Sequence, residues 1–320
     1  MHCYKGGGLV ILNIDLNPTV ERKYNLDNVL LGKEIKAKSS TYSPGGRGVV
    51  SSLLLDNFNE DTFLTGFLGG ISGEYFHRAL SEISIPHEFV SIKDETRTTM
   101  KITDSMGNTT TILEGNPRVI REELVQFYEL YNVLIERADI ICGLDNSLPL
   151  GISKDIFFDL ILLAKQRNKK FILDINGEEC SNGIDASPFM AILNQNTLED
   201  FIKLSLQFEN EIIKAGRFIL DKGIDFVVID LKTRGSLVLS KERGYRVEIP
   251  YYGREEYIGQ SSMAAGFALG FNRNYDMEII LRLGQAFGIA STIEPDPMKI
   301  EISDIKRLMG EVEIFPINYY

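Results

Sequence analysis

The feature that most narrows the fold of this chain is an alternation of short, doubly apolar runs with longer amphipathic stretches. Residues 9–14, 62–66, 139–142, 171–175 and 226–231 are compact apolar runs that read as strands buried on both faces. Between them, residues 118–138, 154–166 and 206–221 carry the apolar spacing of helices. This rhythm predicts an α/β fold, with a parallel sheet sandwiched by helices. Two stretches break it. Residues 19–43 show no clear helical period, and residues 98–113 alternate around Ser105-Met-Gly-Asn108, which reads as a hairpin turn. Together they could form a small separate sheet. Further along, residues 225–239 and 245–250 read as consecutive strands, and 261–272, 276–292 and 302–310 as closing helices. No internal repeat is visible.

With 320 residues, 44% of them hydrophobic, the chain can bury the core that such a sheet needs. A formal net charge of −11 argues against a nucleic-acid partner, because that affinity rests on Lys and Arg neutralising phosphates. No membrane partner is expected either. The first apolar run is broken by Asn13 and Asp15 and lacks the basic leader and cleavage site of a signal peptide, and no run reaches the roughly 18 apolar residues of a spanning helix. Cys3, Cys142 and Cys180 are odd in number and widely spaced, which suits a reducing cytoplasm rather than a disulfide or zinc framework. His2, His77 and His87 lie at no metal-ligand spacing and read as surface or packing residues.

Pro44-Gly-Gly-Arg-Gly48 feeds a helical run at residues 49–55. Such a turn either presents backbone N–H groups to an anion or hydroxyl-rich ligand, or is a plain turn. The phosphate loop of P-loop NTPases and the dinucleotide glycine fingerprint are both absent.

Further motifs follow in order. Asp15-Leu-Asn-Pro-Thr-Val-Glu21 precedes the glycine turn. Thr65-Gly-Phe-Leu-Gly-Gly-Ile-Ser-Gly73, Glu95-Thr-Arg-Thr98, Ser147-Leu-Pro-Leu-Gly151, Leu173-Asp174 with Gly177-Glu178, Asn196-Thr-Leu-Glu199 and Gly259-Gln-Ser-Ser-Met-Ala-Ala-Gly-Phe267 come after it. In this order the chain resembles the ribokinase/PfkB family of carbohydrate kinases. Asn17-Pro18, the spacing from Gly32 to Gly45, and Gly177-Glu178 are most similar to the branch containing 1-phosphofructokinase and tagatose-6-phosphate kinase.

The resemblance implies a ribokinase-like, doubly wound sheet flanked by helices, with a small β-sheet lid. The α/β domain would comprise residues 1–18, 44–90 and 112–320, and the lid residues 19–43 and 91–111. It also implies a homodimer formed through the lid and a phosphorylated sugar as ligand. ATP and magnesium would be the cofactors if the chain is active; that it uses none is left open. Glu21 would be the sugar-contacting acid, where the family usually has Asp. Gly45 and Gly46 belong to the first signature, Lys36 is a lid cation and Arg97 the phosphate-binding arginine, with solvated surface charge as the alternative for Lys36 and Arg97. Asn196 and Glu199 match a motif that influences magnesium and phosphate binding, so Glu199 would act on the metal indirectly; the alternative is a helix cap followed by an acid. Gly235 and Gly259 fall on the nucleotide side.

Several positions depart from the family pattern. Its Gly-Ala-Gly-Asp run supplies amides around the transferring phosphoryl group and an Asp as base, and here Ile258, Gln260 and Ser261 replace the first Gly, the second Gly and the Asp. Ser261 thus occupies the catalytic position, where a neutral serine is not a competent base near neutral pH unless another group activates it. Glu255 and Glu256 are the nearest acids before it. Val50 replaces a sugar-contacting Asn, Asn194 a Lys, and Lys232 a Gly. By family, the reaction is ATP-dependent phosphorylation of fructose 1-phosphate or tagatose 6-phosphate. These departures predict impaired catalysis, or alternatively a non-catalytic regulatory protein that binds a phosphosugar or nucleotide; a purely structural role is also left open.

Overall fold

Val10 to Asp15 are buried without exception, as residues of a strand covered on both faces must be. In the computed structural model, which describes residues 10–30, 32–145, 147–249, 260–294, 296–317 and 319, with the backbone alone at Asp145, Gln260 and Ser261, this strand lies inside a ten-stranded sheet.

The chain runs β1 (Val10–Asp15), β2 (Thr19–Asn25), β3 (Ser39–Gly45), α1 (Arg47–Asn57), β4 (Thr62–Gly69), α2 (Gly70–Glu82), β5 (Val90–Ile92), β6 (Thr98–Thr103), β7 (Thr109–Leu113), α3 (Arg121–Ile135), β8 (Ala138–Asp145), α4 (Ile156–Gln166) and β9 (Lys170–Ile175). It continues with α5 (Glu178–Asp185), β10 (Met190–Asn194), α6 (Gln195–Ile202), α7 (Glu209–Leu220), β11 (Phe226–Asp230), β12 (Ser236–Ser240), β13 (Gly244–Glu248), α8 (Gln260–Asn272), α9 (Met277–Ile293), α10 (Ile302–Glu311) and β14 (Glu313–Ile317).

The large sheet is ordered β14-β13-β12-β11-β10-β9-β8-β1-β4-β5. Its strands from β11 through β5 are parallel, and β12, β13 and β14 are antiparallel. Alternate residues of each parallel strand feed opposite cores. Leu12, Ile141, Leu173 and Ile229 pack with α3, α4, α5 and α7, whereas Ile11, Ile140, Ile172 and Val228 pack with α1, α8, α9 and α10. This is the helix-flanked parallel sheet expected from the alternation, in the doubly wound form that the resemblance implied.

A second, four-stranded sheet has the order β3-β2-β6-β7. It contains both stretches that broke the helical rhythm, and β6 and β7 form the hairpin around Ser105 to Asn108. Val90–Ile92 instead pairs with β4 and joins the large sheet. The stretch 225–239 is split, because a 3-10 turn at Lys232–Arg234 reverses β11 into antiparallel β12. Among the described residues no helix is long and apolar enough to cross a membrane.

Candidate functional site

Three of the apolar strands end on a buried acid: Asp15 closes β1, Asp174 lies near the end of β9 and Asp230 closes β11. Buried carboxylates are costly unless charge or hydrogen bonds compensate them. Arg47, the first residue of α1, donates from Nη2 to Asp174 Oδ1 at 2.5 Å, and the two side chains are 7% and 0% exposed. Asp230 Oδ1 accepts the Lys232 amide at 2.8 Å, yet burial, with Asp174 adding to it, pushes its carboxyl up to about 7. Asp15 Oδ2 accepts the Gly48 amide at 2.9 Å. Burial pushes Asp15 up to about 6, opposed by the Gly48 amide, by Arg97 and Arg47, and by the Asn17 amide.

The glycine turn is built around that carboxylate. At Gly46, where φ is +118°, a Cβ would stand 2.5 Å from Asp15 Oδ2, so any side chain there would displace the acid. The amide of Gly48 is held by Asp15.

Arg97 lies just before β6 and is tied to β2, since its carbonyl accepts from the Val20 amide at 3.0 Å. Its guanidinium donates to the Asn17 carbonyl at 3.0 Å, and to Asn116 Oδ1 and Ser147 Oγ at 3.3 Å each. These acceptors are all neutral. Among the described residues Arg97 forms no ion pair, its buried Nε has no hydrogen-bond partner, and neither does the buried Oδ1 of Asn17. The cluster thus keeps a positive charge and unspent hydrogen-bonding capacity.

Of the predicted substrate residues, Glu21, Gly45 and Gly46 line one groove together with Val50, Tyr42 and Tyr75. Glu21 is paired with Lys101 at 3.0 Å and Lys23 at 3.3 Å, and its side chain lies against Gly45, whose Cβ would meet it at 2.5 Å. Lys36 is exposed, in the connection between β2 and β3, and is not part of this cluster.

The other half of the predicted site gathers around β10 and β11. The cap of α6 is Asn194, whose Oδ1 accepts the Thr197 amide at 2.8 Å, so the reading of Asn196 as a helix cap is corrected; Asn196 is exposed in the first turn. Glu199 Oε1 accepts from the Leu206 amide at 2.9 Å and Gln195 Nε2 at 3.0 Å, and these bonds hold its carboxyl below the usual range. They close the connection from α6 to α7. Among the described residues no group of three or more His, Cys, Asp or Glu side chains could hold a metal ion. Arg234 Nη2 donates to Gln195 Oε1 at 3.1 Å, joining the 3-10 turn to α6.

Gly235 has φ +87°, and a Cβ there would stand 2.0 Å from the Val247 carbonyl, so the close approach of β13 demands glycine. Lys232 takes the left-handed conformation at φ +58°, a region that favours glycine. Ser261 lies in the first turn of α8, and neighbouring Ser262 is buried with its hydroxyl 2.6 Å from that of Ser291. Ile258 and Gly259, with Glu255 and Glu256, lie outside the described residues.

Arg47 and Asp230 were not singled out in the sequence, although both were signalled there by an acid ending an apolar run and by a cation inside a glycine turn. His77 and His87 pack in a tilted arrangement with ring centroids 5.1 Å apart, beside Phe89.

The profile of the pfkB family of carbohydrate kinases matches residues 9–299. The chain belongs to that family. It is 26% identical over 306 residues to the 1-phosphofructokinase of Bacillus subtilis, covering 95% of this chain and 99% of that protein. It is likewise 26% identical over 312 residues to the tagatose-6-phosphate kinase of Staphylococcus epidermidis, covering 96% and 100% of the two chains. Phosphofructokinase-2 of Escherichia coli in complex with fructose-6-phosphate shares the pfkB fold with a TM-score of 0.84 at 20% identity, over 94% of this chain and 98% of that one. The tetrameric inhibited form of the same enzyme superposes with a TM-score of 0.83 at 21% identity, over 94% and 98%.

Proposed function

We propose that this chain binds a phosphorylated hexose of the fructose 1-phosphate or tagatose 6-phosphate type and transfers phosphate to it from ATP slowly or not at all. The observation that carries the ligand is Arg97: a guanidinium whose hydrogen bonds all go to neutral acceptors, joined through β2 to the groove that holds Glu21, Gly45 and Gly46. A planar guanidinium suits a phosphate because it donates in pairs. Val50 offers the groove no hydrogen bond where a sugar hydroxyl would need one, so the sugar itself is held loosely.

The impairment rests on Ile258-Gly-Gln-Ser-Ser262, which contains no carboxylate. Loss of a general base costs roughly 10² to 10⁴ in rate, and loss of an amide donor roughly 10² to 10³. ATP, when bound, would supply the phosphoryl group; the chain's own part is to hold and orient the acceptor. The small sheet supports dimerisation, since β7 is exposed at all five positions and an open sheet edge invites pairing. Buried Cys142 and Cys180, both free thiols, suit a reducing compartment.

The test combines calorimetry with fructose 1-phosphate, tagatose 6-phosphate and ATP, and turnover of the wild type against Ile258→Gly, Gly259→Ala, Gln260→Gly and Ser261→Asp made together. The combined variant should turn over at least about 10² faster. Wild-type turnover on the order of 1 to 100 per second would overturn the impairment, and failure to bind either sugar phosphate would overturn the ligand.

A further inference from the structure

Asp15 is bonded to the glycine turn and feels the charge of Arg97. Its Oδ2 takes the Gly48 amide in the first turn of α1, the end of a helix where a ligand's negative charge is most welcome. Arg97 donates from Nη2 at 3.0 Å to the carbonyl of Asn17, two residues further on, and its charge favours the ionised carboxyl of Asp15. The remaining charge near it is Arg47 of α1, which is committed to Asp174. At the end of β1, Gly66 of β4 pairs with Asp15 itself and Gly143 of β8 with Ile14. Beside this acid, the Arg97 Nε and Asn17 Oδ1 have no partners among the described residues, and Asn17 is only 2% exposed.

Resting on the reading of Arg97 as the phosphate-binding group, we propose that Asp15 is the specificity-determining residue for ligand charge. It is a built-in anion that competes with a ligand anion for the charge of Arg97, so that dianions are disfavoured while it is ionised. Because burial holds it protonated up to about pH 6, the competition weakens as the solution is acidified through that value. The site then accepts a dianion more readily.

Inorganic sulfate is the probe, because it keeps both charges over the range of interest whereas a phosphate monoester would itself take up a proton. Sulfate affinity of the wild-type protein, measured by calorimetry, should rise about tenfold from about pH 8 to about pH 5, the scale of one nearby charge at intermediate dielectric. Asp15→Asn keeps an oxygen for the Gly48 amide and removes the charge; it should bind at about pH 8 as tightly as the wild type does at about pH 5, with no slope between. Equal affinity of wild type and Asp15→Asn at about pH 8, including no binding by either, overturns the proposal. So does a wild-type affinity that is flat with pH, a result obtainable even if the variant does not fold. Arg97→Ala tells the two claims apart: if sulfate and fructose 1-phosphate bind unchanged without Arg97, the phosphate reading fails, whatever Asp15→Asn does.

Discussion

Arg47 and Asp174 stand 127 positions apart in sequence and meet at 2.5 Å in the interior, tying the start of α1 to the end of β9. Removing one partner leaves the other charge buried. Arg47→Met should therefore cost about 3 to 5 kcal/mol in chemical denaturation, and adding Asp174→Leu should recover most of it. A single substitution that unfolds at the wild-type midpoint would show that the pair contributes nothing.

Asp230 should make the protein sensitive to alkali. Its folded value of about 7 lies above the ordinary 3.8, so the folded state holds a proton that the unfolded chain releases. The stabilisation this gives is fully present below about pH 4 and is lost as pH rises through about 7. Asp15, raised to about 6, acts in the same direction. Asp230→Asn should accordingly raise the melting temperature at about pH 8 and leave it nearly unchanged at about pH 4. Thermal melts showing the same increment at both values would contradict this.

Arg97→Ala should weaken fructose 1-phosphate or tagatose 6-phosphate binding by about 1.5 to 3 kcal/mol, the range for a hydrogen bond to a charged group. Arg97→Lys should recover only part, because an ammonium lacks the paired donors. Titration calorimetry decides it, and identical affinities for all three proteins would place the phosphate elsewhere.

Glu199 accepts the Leu206 amide, so its removal strands a backbone donor in the link between α6 and α7. Glu199→Ala should lower the melting temperature, and Glu199→Gln should lower it less, since its amide oxygen can still accept. A magnesium role alone would instead leave the metal-free melting curve untouched by either change.

The large sheet was legible because its central strands are apolar on both faces, a pattern few other environments tolerate. Three strands were not. Val90–Ile92 is only three residues long, too short for an alternation to show. Met190–Asn194 is a short run that passes straight into Gln195-Asn-Thr, so no turn residue marks its end. Glu313–Ile317 contains Pro316, which speaks against a strand but is tolerated in β14 because that strand is the outermost of its sheet. The position of Arg97 and the glycine turn could be anticipated from motif order. The choice of Asn194 over Asn196 as the α6 cap could not, since it depends on where β10 stops. Nor could the capture of the Gly48 amide, which needs Asp15 and the turn brought together by pairing β1 with β4.

The parallel pairing of β2 with β6 also sets a timetable for synthesis. Thr19 waits for Arg97, 78 positions later, before its hydroxyl finds the carbonyl it bonds in the finished protein. At the ribosome's pace that interval is roughly 4 to 16 s. Throughout it, the β2–β3 hairpin is a nascent ribbon with one ladder of backbone groups still open, long enough for a chaperone, or another emerging copy, to reach that edge first.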